Sequence, residues 1–174
     1  MANGSWFGAF MASSAAKSIS ARQKTIKQLV AAKIRSNVDF LTGATWQGIY
    51  EDSLYDAPSK GGLWDYHMPA EDISFKFTRR GKSDATFIAD RLIKYNDQDY
   101  PERFIGSVGP DGRVVMNSLT DTDVLMGQVD SISGTLSLLF VDDGNTDSSF
   151  GSQTAVGTFV FYDVSKSYSS LPTW

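Results

Sequence analysis

The residues best suited to chemistry are few and scattered. His67, the sole histidine, sits in Trp64-Asp-Tyr-His-Met-Pro69, with Asp65 two positions before it. A Ser-His-Asp arrangement would have to assemble around it, and no Gly-x-Ser-x-Gly elbow is present to supply the serine. A lone histidine in a loop serves surface packing as readily as proton transfer. Asp121 and Asp123 are spaced as acids often are in turns, whereas glycoside hydrolysis needs two carboxylates facing each other across a bond. No Walker loop, dinucleotide fingerprint or paired-histidine metal motif occurs. The chain has no cysteine, which excludes disulfides, thiolate metal sites and a thiol nucleophile. The expectation is a protein that is not an enzyme, with no catalytic residue, resident metal or cofactor.

One stretch has the outline of a metal loop. Asp143-Gly-Asn145-Thr-Asp147, beside Asp142, alternates oxygen ligands as the start of a calcium loop does. An EF-hand then requires glycine, where this chain has Ser148, and a closing glutamate, which does not follow. A hairpin loop selects the same Asp, Asn, Gly and Ser for turn reasons alone.

The elements that would position these residues fall into two parts of opposite charge. Residues 1–38 contain Lys17, Arg22, Lys24, Lys27, Lys33 and Arg35 and no acid, a net +6. The remainder carries all 20 acids and nets −10. Such asymmetry points to a partner of opposite sign, and the basic arm is the candidate to meet it. The arm opens with Trp6, Phe7 and Phe10 among glycines, poor helix material but good apolar anchors. From Ser14 to Asn37 the pattern predicts one helix, with Ser13 or Ser14 as its N-cap. Ile19, Ile26, Leu29, Val30 and Ile34 share one sector of it, with Lys17, Lys24, Lys27 and Arg35 turned away. This helix either rests on its own β-body, lies on an anionic lipid surface, touches nucleic-acid phosphates or docks in a groove of a partner protein.

From Trp46 onward, short alternating runs predict strands: Trp46–Leu54, Ile73–Thr78, Thr86–Tyr95, Arg103–Val108, Arg113–Leu119, Val124–Ile132, Thr135–Val141 and Ala155–Val164. Gly109-Pro-Asp-Gly112 is a hairpin turn. Between the first two runs lies a long aromatic loop, Tyr55–Glu71, in which Trp64 and Tyr66 join Trp46, Tyr50 and Tyr55 as material for a lid or an interface. The fold expected is mainly β: an N-terminal amphipathic α-helix, then an antiparallel up-and-down β-barrel or sandwich of about eight strands. At 174 residues and 41% hydrophobic, the chain suits one domain with an extension. The division expected is a basic arm and helix over 1–42, a β-domain over 43–166 and a tail over 167–174 ending in the anchor Trp174.

With its short helix or arm, its Gly and Trp at the mouth of the first strand and its eight-strand meander, the chain resembles the lipocalin and wider calycin group over roughly residues 43–166. That family carries Gly-x-Trp, where this sequence has Gly43-Ala44-Thr45-Trp46, one residue longer. It also sets a basic side chain over the Trp, for which Lys166 is the counterpart here. The resemblance implies a barrel that holds a small hydrophobic ligand.

No apolar run approaches the roughly 20 residues that span a bilayer. Trp6–Ala12, broken by Gly8 and preceded by no cation, lacks the form of a secretory signal. Two functions follow. The first is a structural or adaptor subunit of a larger assembly, such as a virion or an intracellular multi-protein complex. It would dock on protein subunits, or on an anionic nucleic-acid or lipid surface, through Trp6, Phe7, Phe10, Lys17, Lys24, Lys27, Arg35, Trp64, Tyr66 and Trp174. The second is a lipocalin-like carrier of a small hydrophobic molecule.

Overall fold

The computed structural model describes residues 5–57, 62–66, 73–80, 85–95, 97–120, 122–142 and 154–165. Helix α1 covers Ser5–Thr42. It is followed by β1 (Thr45–Ala57), β2 (Gly62–Tyr66), β3 (Ile73–Arg79), β4 (Thr86–Tyr95), β5 (Gln98–Val108), β6 (Arg113–Ser118), β7 (Val124–Asp130), β8 (Thr135–Asp142) and β9 (Thr154–Asp163).

The helix is longer than its sequence pattern predicts at both ends. It begins at Ser5 and passes through Gly8, Ser13 and Ser14, so neither serine is an N-cap. An interior glycine costs a helix only about 1 kcal/mol relative to alanine, and the formers Ala9, Met11, Ala12, Ala15 and Ala16 surround this one. At the other end the helix continues past Asn37 because Val38 and Leu41 are fully buried against the barrel. It stops where Thr42 Oγ1 and Gly43 N donate back to the carbonyls of Val38 and Asp39, each at 2.9 Å.

From β3 to β9 each strand pairs antiparallel with the next, and β1 pairs with β9 from Trp46↔Asp163 to Asp56↔Thr154. With β1 joined to β3 at Thr45–Gln47, the eight strands β1 and β3–β9 close into an up-and-down barrel. An open sandwich is thereby excluded, and closure removes the exposed edges that invite aggregation. The additional strand, β2, lies within the predicted aromatic loop and folds back on the far half of β1, pairing Ser53–Ala57 with Gly62–Tyr66.

Register follows from the period-2 pattern, since a slip of one residue would turn every apolar side chain outward. Ile73, Phe75 and Phe77 of β3 face inward and are nearly inaccessible, as are Phe87, Phe104, Met116, Leu125, Leu136, Leu138 and Phe161 on the other strands. Phe75 contacts the rings of Phe77, Phe104 and Phe161 at centroid distances of 5.7, 6.0 and 5.1 Å, so aromatic side chains fill this part of the interior. The Gly109–Gly112 turn forms as predicted. Gly112 takes φ +84° and donates to the carbonyl of Gly109 at 3.1 Å, a conformation that favours glycine.

Candidate functional site

The two ends of the barrel differ in chemistry. The end at the C-terminus of α1 is sealed. Val38 and Leu41 sit over the core, and Asn37 Nδ2 donates to the carbonyl of Gly109 at 2.9 Å. Trp46 Nε1 donates to the carbonyl of Leu41 at 3.0 Å. The indole ring meets Phe40 and Phe77 edge-on, at 5.5 and 6.4 Å.

Toward the opposite end, charge interrupts the inward face, although Ile73 and Phe140 stay buried there. The alternation Phe87, Ala89, Arg91 on β4 carries a guanidinium inside the wall, and Glu102 of β5 stands directly across from it in the register. Asp123, one residue before β7, shares the inward parity of Leu125. Arg91 Nη2 donates to Glu102 Oε2, and to Asp123 Oδ2 at 2.9 Å. Arg91 is only 9% exposed, and its guanidinium carbon lies 5.2 Å from the centre of the Phe104 ring. The cluster is one formal cation with two carboxylates. Arg91 Nε and Glu102 Oε1 are buried with no hydrogen-bond partner.

A cleft of about 320 Å³ reaches this pair. Among the described residues β6 pairs with β5 only from Phe104↔Ser118 onward, with Leu119 N donating to the carbonyl of Arg103 at 2.8 Å, so the residues of β5 before Arg103 have no strand beside them on that side. Pro101, which has no N–H to offer a ladder, occupies that open stretch. Leu119 and Thr120 form the other lip, and Asp90 and Arg103 flank it. Arg103 is exposed and Asp90 half-buried, and Arg103 Nε donates to Asp90 Oδ1 at 2.6 Å, which raises the arginine pKa.

A larger groove, about 470 Å³, lies in the elbow between α1 and the turns at the sealed end, lined by Lys33, Asn37, Asp111, Asp130 and neighbours. Its carboxylates are already engaged. Asp130 accepts from Ile132 N and Ser133 Oγ, each at 2.8 Å. Asp111 Oδ1 accepts from Arg113 N at 3.2 Å.

The residues singled out from sequence are dispersed. Lys17, Lys24, Lys27 and Arg35 are exposed on α1. Every residue from Ala16 to Lys33 is exposed, so this stretch does not rest on its own barrel. Trp6, Phe7 and Phe10 are on the first turns of α1, and Trp64 and Tyr66 are on β2, paired in register with Tyr55 and Ser53. Trp174, His67, Asp121, Lys166 and the Asp143–Asp147 loop lie outside the described residues. Asp123, considered as half of an acid pair, is bound to Arg91 instead. Among the described residues no group of three His, Cys, Asp or Glu is placed to hold a metal ion. Arg91 and Glu102 were not singled out by motif. Their one sequence signal is parity: Arg91 is a charge at an inward position of the run Thr86–Tyr95, and Glu102 continues the parity of Phe104 one residue before the run Arg103–Val108.

No protein-family model matches this chain, and no curated protein does. Among solved structures it is similar to an odorant-binding protein, at 12% identity and a TM-score of 0.42, over 75% of this chain and 76% of that one. It is also similar to the siderocalin Ex-FABP, at 7% identity and 0.40, over 72% and 76%. The likeness is to lipocalin-like barrels, and it is one of architecture. At these values it describes the course of the strands and nothing of what is bound. In this eight-strand barrel Trp46 sits at the sealed end, at the start of the first strand.

Proposed function

We propose that the barrel is a non-catalytic binding module for a small, mainly apolar molecule with a neutral hydrogen-bonding head. The observation that carries this reading is the buried Arg91–Glu102 pair, which has one donor and one acceptor unpartnered and whose residues line a cleft. Leaving a buried polar group unpaired costs about 1–3 kcal/mol, a cost that a bound head group removes. The cleft volume is at the low end of the roughly 300–1,000 Å³ usual for small-molecule sites. Two carboxylates against one guanidinium disfavour an anionic head. An alcohol or primary amide, which donates to Glu102 Oε1 and accepts from Arg91 Nε, matches the free groups. Neither histidine nor cysteine belongs to the cluster, in keeping with binding rather than catalysis.

The test is calorimetric titration of the full chain with straight-chain primary alcohols and amides against carboxylates of equal length. Saturable binding of the neutral heads, weakened about tenfold by Glu102→Gln, is the expected result, since a good hydrogen bond in a buried site is worth about 1–1.5 kcal/mol. Absence of saturable binding, or indifference to Glu102→Gln, would overturn the assignment.

A second reading, a subunit docked through its N-terminal arm, is favoured by α1 itself. Ile19, Ile26, Leu29 and Val30 are 60, 52, 66 and 40% exposed on a helix that leaves the barrel. An apolar stripe of this kind in water fits a segment that meets a partner. Lys17, Lys24, Lys27 and Arg35 would then flank the contact.

A further inference from the structure

The barrel carries an exposed apolar band of its own. Val115, Met126 and Leu139 lie side by side on the outward face, because Val115 pairs with Met126 and Met126 with Leu139 across β6, β7 and β8. Ile105 and Val156 extend the row diagonally. Their strands place Ser107 opposite Val115 and Thr158 opposite Leu139, so each lies one diagonal step away, within side-chain reach. All five are 38–44% exposed. On the same outward face, exposed Asp99 and Asp130 lie on the strands of Ile105 and Met126, while Arg103 and Arg113, two residues from Ile105 and Val115, are each bound to an aspartate, Asp90 and Asp111.

We infer that the stripe Ile19–Ile26–Val30 of α1 docks on this band in a second copy of the chain. Three observations select that occupant. The stripe does not lie on its own barrel, since α1 is exposed throughout from Ala16 to Lys33. Two such helices do not suit each other, because each brings six cations and no acid within residues 1–38, and like charges at close range repel. The remainder of the chain nets −10, so the basic helix and the acidic barrel are complementary in charge as well as in apolar surface. The contact is heterologous: helix of one copy, barrel of the next. It closes if two copies exchange helices and otherwise propagates. It gives the docking reading of α1 a specific partner and is independent of the ligand reading.

The test is sedimentation velocity of the full chain over a concentration series. Mass above the 19.1 kDa monomer is expected, falling with added salt as screened ion pairs weaken. Ile26→Asp and Met126→Asp should each weaken association at least tenfold, with an unfolding midpoint close to wild type because both sites are exposed. Val115→Lys serves as a second barrel variant. An equimolar mixture of the helix and barrel variants should regain association, since one supplies an intact band and the other an intact stripe. In this cysteine-free chain, Gln23→Cys in one tagged copy and Gln128→Cys in another should form a disulfide between copies. A chain monomeric throughout, including one that binds anionic vesicles as a monomer, overturns the inference. So does association that survives Met126→Asp, or a mixture that fails to regain it. Loss with Ile26→Asp alone would leave docking by α1 standing and place its partner elsewhere.

Discussion

Trp46 Nε1 donates a 3.0 Å hydrogen bond to the carbonyl of Leu41, and both side chains are fully buried. The last turn of a helix leaves carbonyls without intrahelical partners, and here the first strand of the barrel satisfies one of them. Trp46→Phe keeps a ring but removes the donor, stranding that carbonyl in the core. The expected loss is about 1–3 kcal/mol, and Leu41→Ala should cost about 2–5 kcal/mol through the cavity it leaves. Urea unfolding checks both, and values near zero would mean that the helix end does not seal the barrel.

The Arg91 cluster predicts an asymmetry between removing one partner and removing more. Arg91→Met leaves Glu102 and Asp123 without their shared cation and should destabilise the fold by about 3–5 kcal/mol. Adding Glu102→Leu removes one stranded carboxylate and should recover part of that loss. The comparison of single and double variants by chemical denaturation decides it. A double variant less stable than Arg91→Met would contradict the account.

Two glycines of the wall, Gly127 on β7 and Gly106 on β5, differ in what an added methyl would strike. At Gly127 a Cβ would lie 1.8 Å from the backbone oxygen of Ser137 on the paired strand, which cannot move without breaking the β7–β8 ladder. At Gly106 it would meet side-chain atoms of Phe87 and Met116 at 2.6–2.7 Å. Gly127→Ala should therefore cost more than the roughly 1–3 kcal/mol usual for overpacking, and Gly106→Ala should fall within that range. Thermal unfolding of the two variants gives the order.

Asp130 holds the turn between β7 and β8. Its bonds from Ile132 N and Ser133 Oγ keep the carboxyl below the usual carboxylate range. Because the folded pKa is depressed, the contribution is present above the unfolded value of about 3.9 and is lost as pH falls through the folded one. Asp130→Ala should destabilise the chain at pH 7 by under about 1 kcal/mol, since the site is exposed. The gap from wild type should close below about pH 4. A gap that persists in acid would place the effect elsewhere.

Truncation should separate the stem of α1 from its seal. Removing residues through Ala32 takes away the exposed stretch Ala16–Ala32 together with the residues before it, and should change unfolding free energy by no more than about 0.5 kcal/mol. Extending the deletion through Leu41 also removes Asn37, Val38 and Leu41 and should cost several kcal/mol on the order of a lost core residue or more. Equal stability of the two truncations would contradict the burial of Val38 and Leu41.

Much of the barrel was legible in the chain because strand identity is a local property. Thr86–Tyr95 has the bounds its pattern predicts, and the remaining predicted runs reappear within a few residues. Alternation and turn chemistry specify period and breaks without reference to distant residues. The hairpin β1–β2 escaped because glycine and proline around Trp64 give the appearance of a loop, while pairing with Ser53–Ala57 made it a strand. The ends of α1 escaped because glycine and serine signals were outweighed, at the C-terminus by burial against strands far along the sequence.

The basic helix, the meander and the charge separation follow from composition and periodicity, which need no third dimension. Closure of β1 on β9 and the exposure of the stripe at Ile19–Val30 arise only once the chain is folded. Folding alone brought Arg91 to Glu102 and Asp123 and lined up Val115, Met126 and Leu139. Each of these depends on register between strands, and register is set by the fit of whole faces rather than by any single stretch of chain.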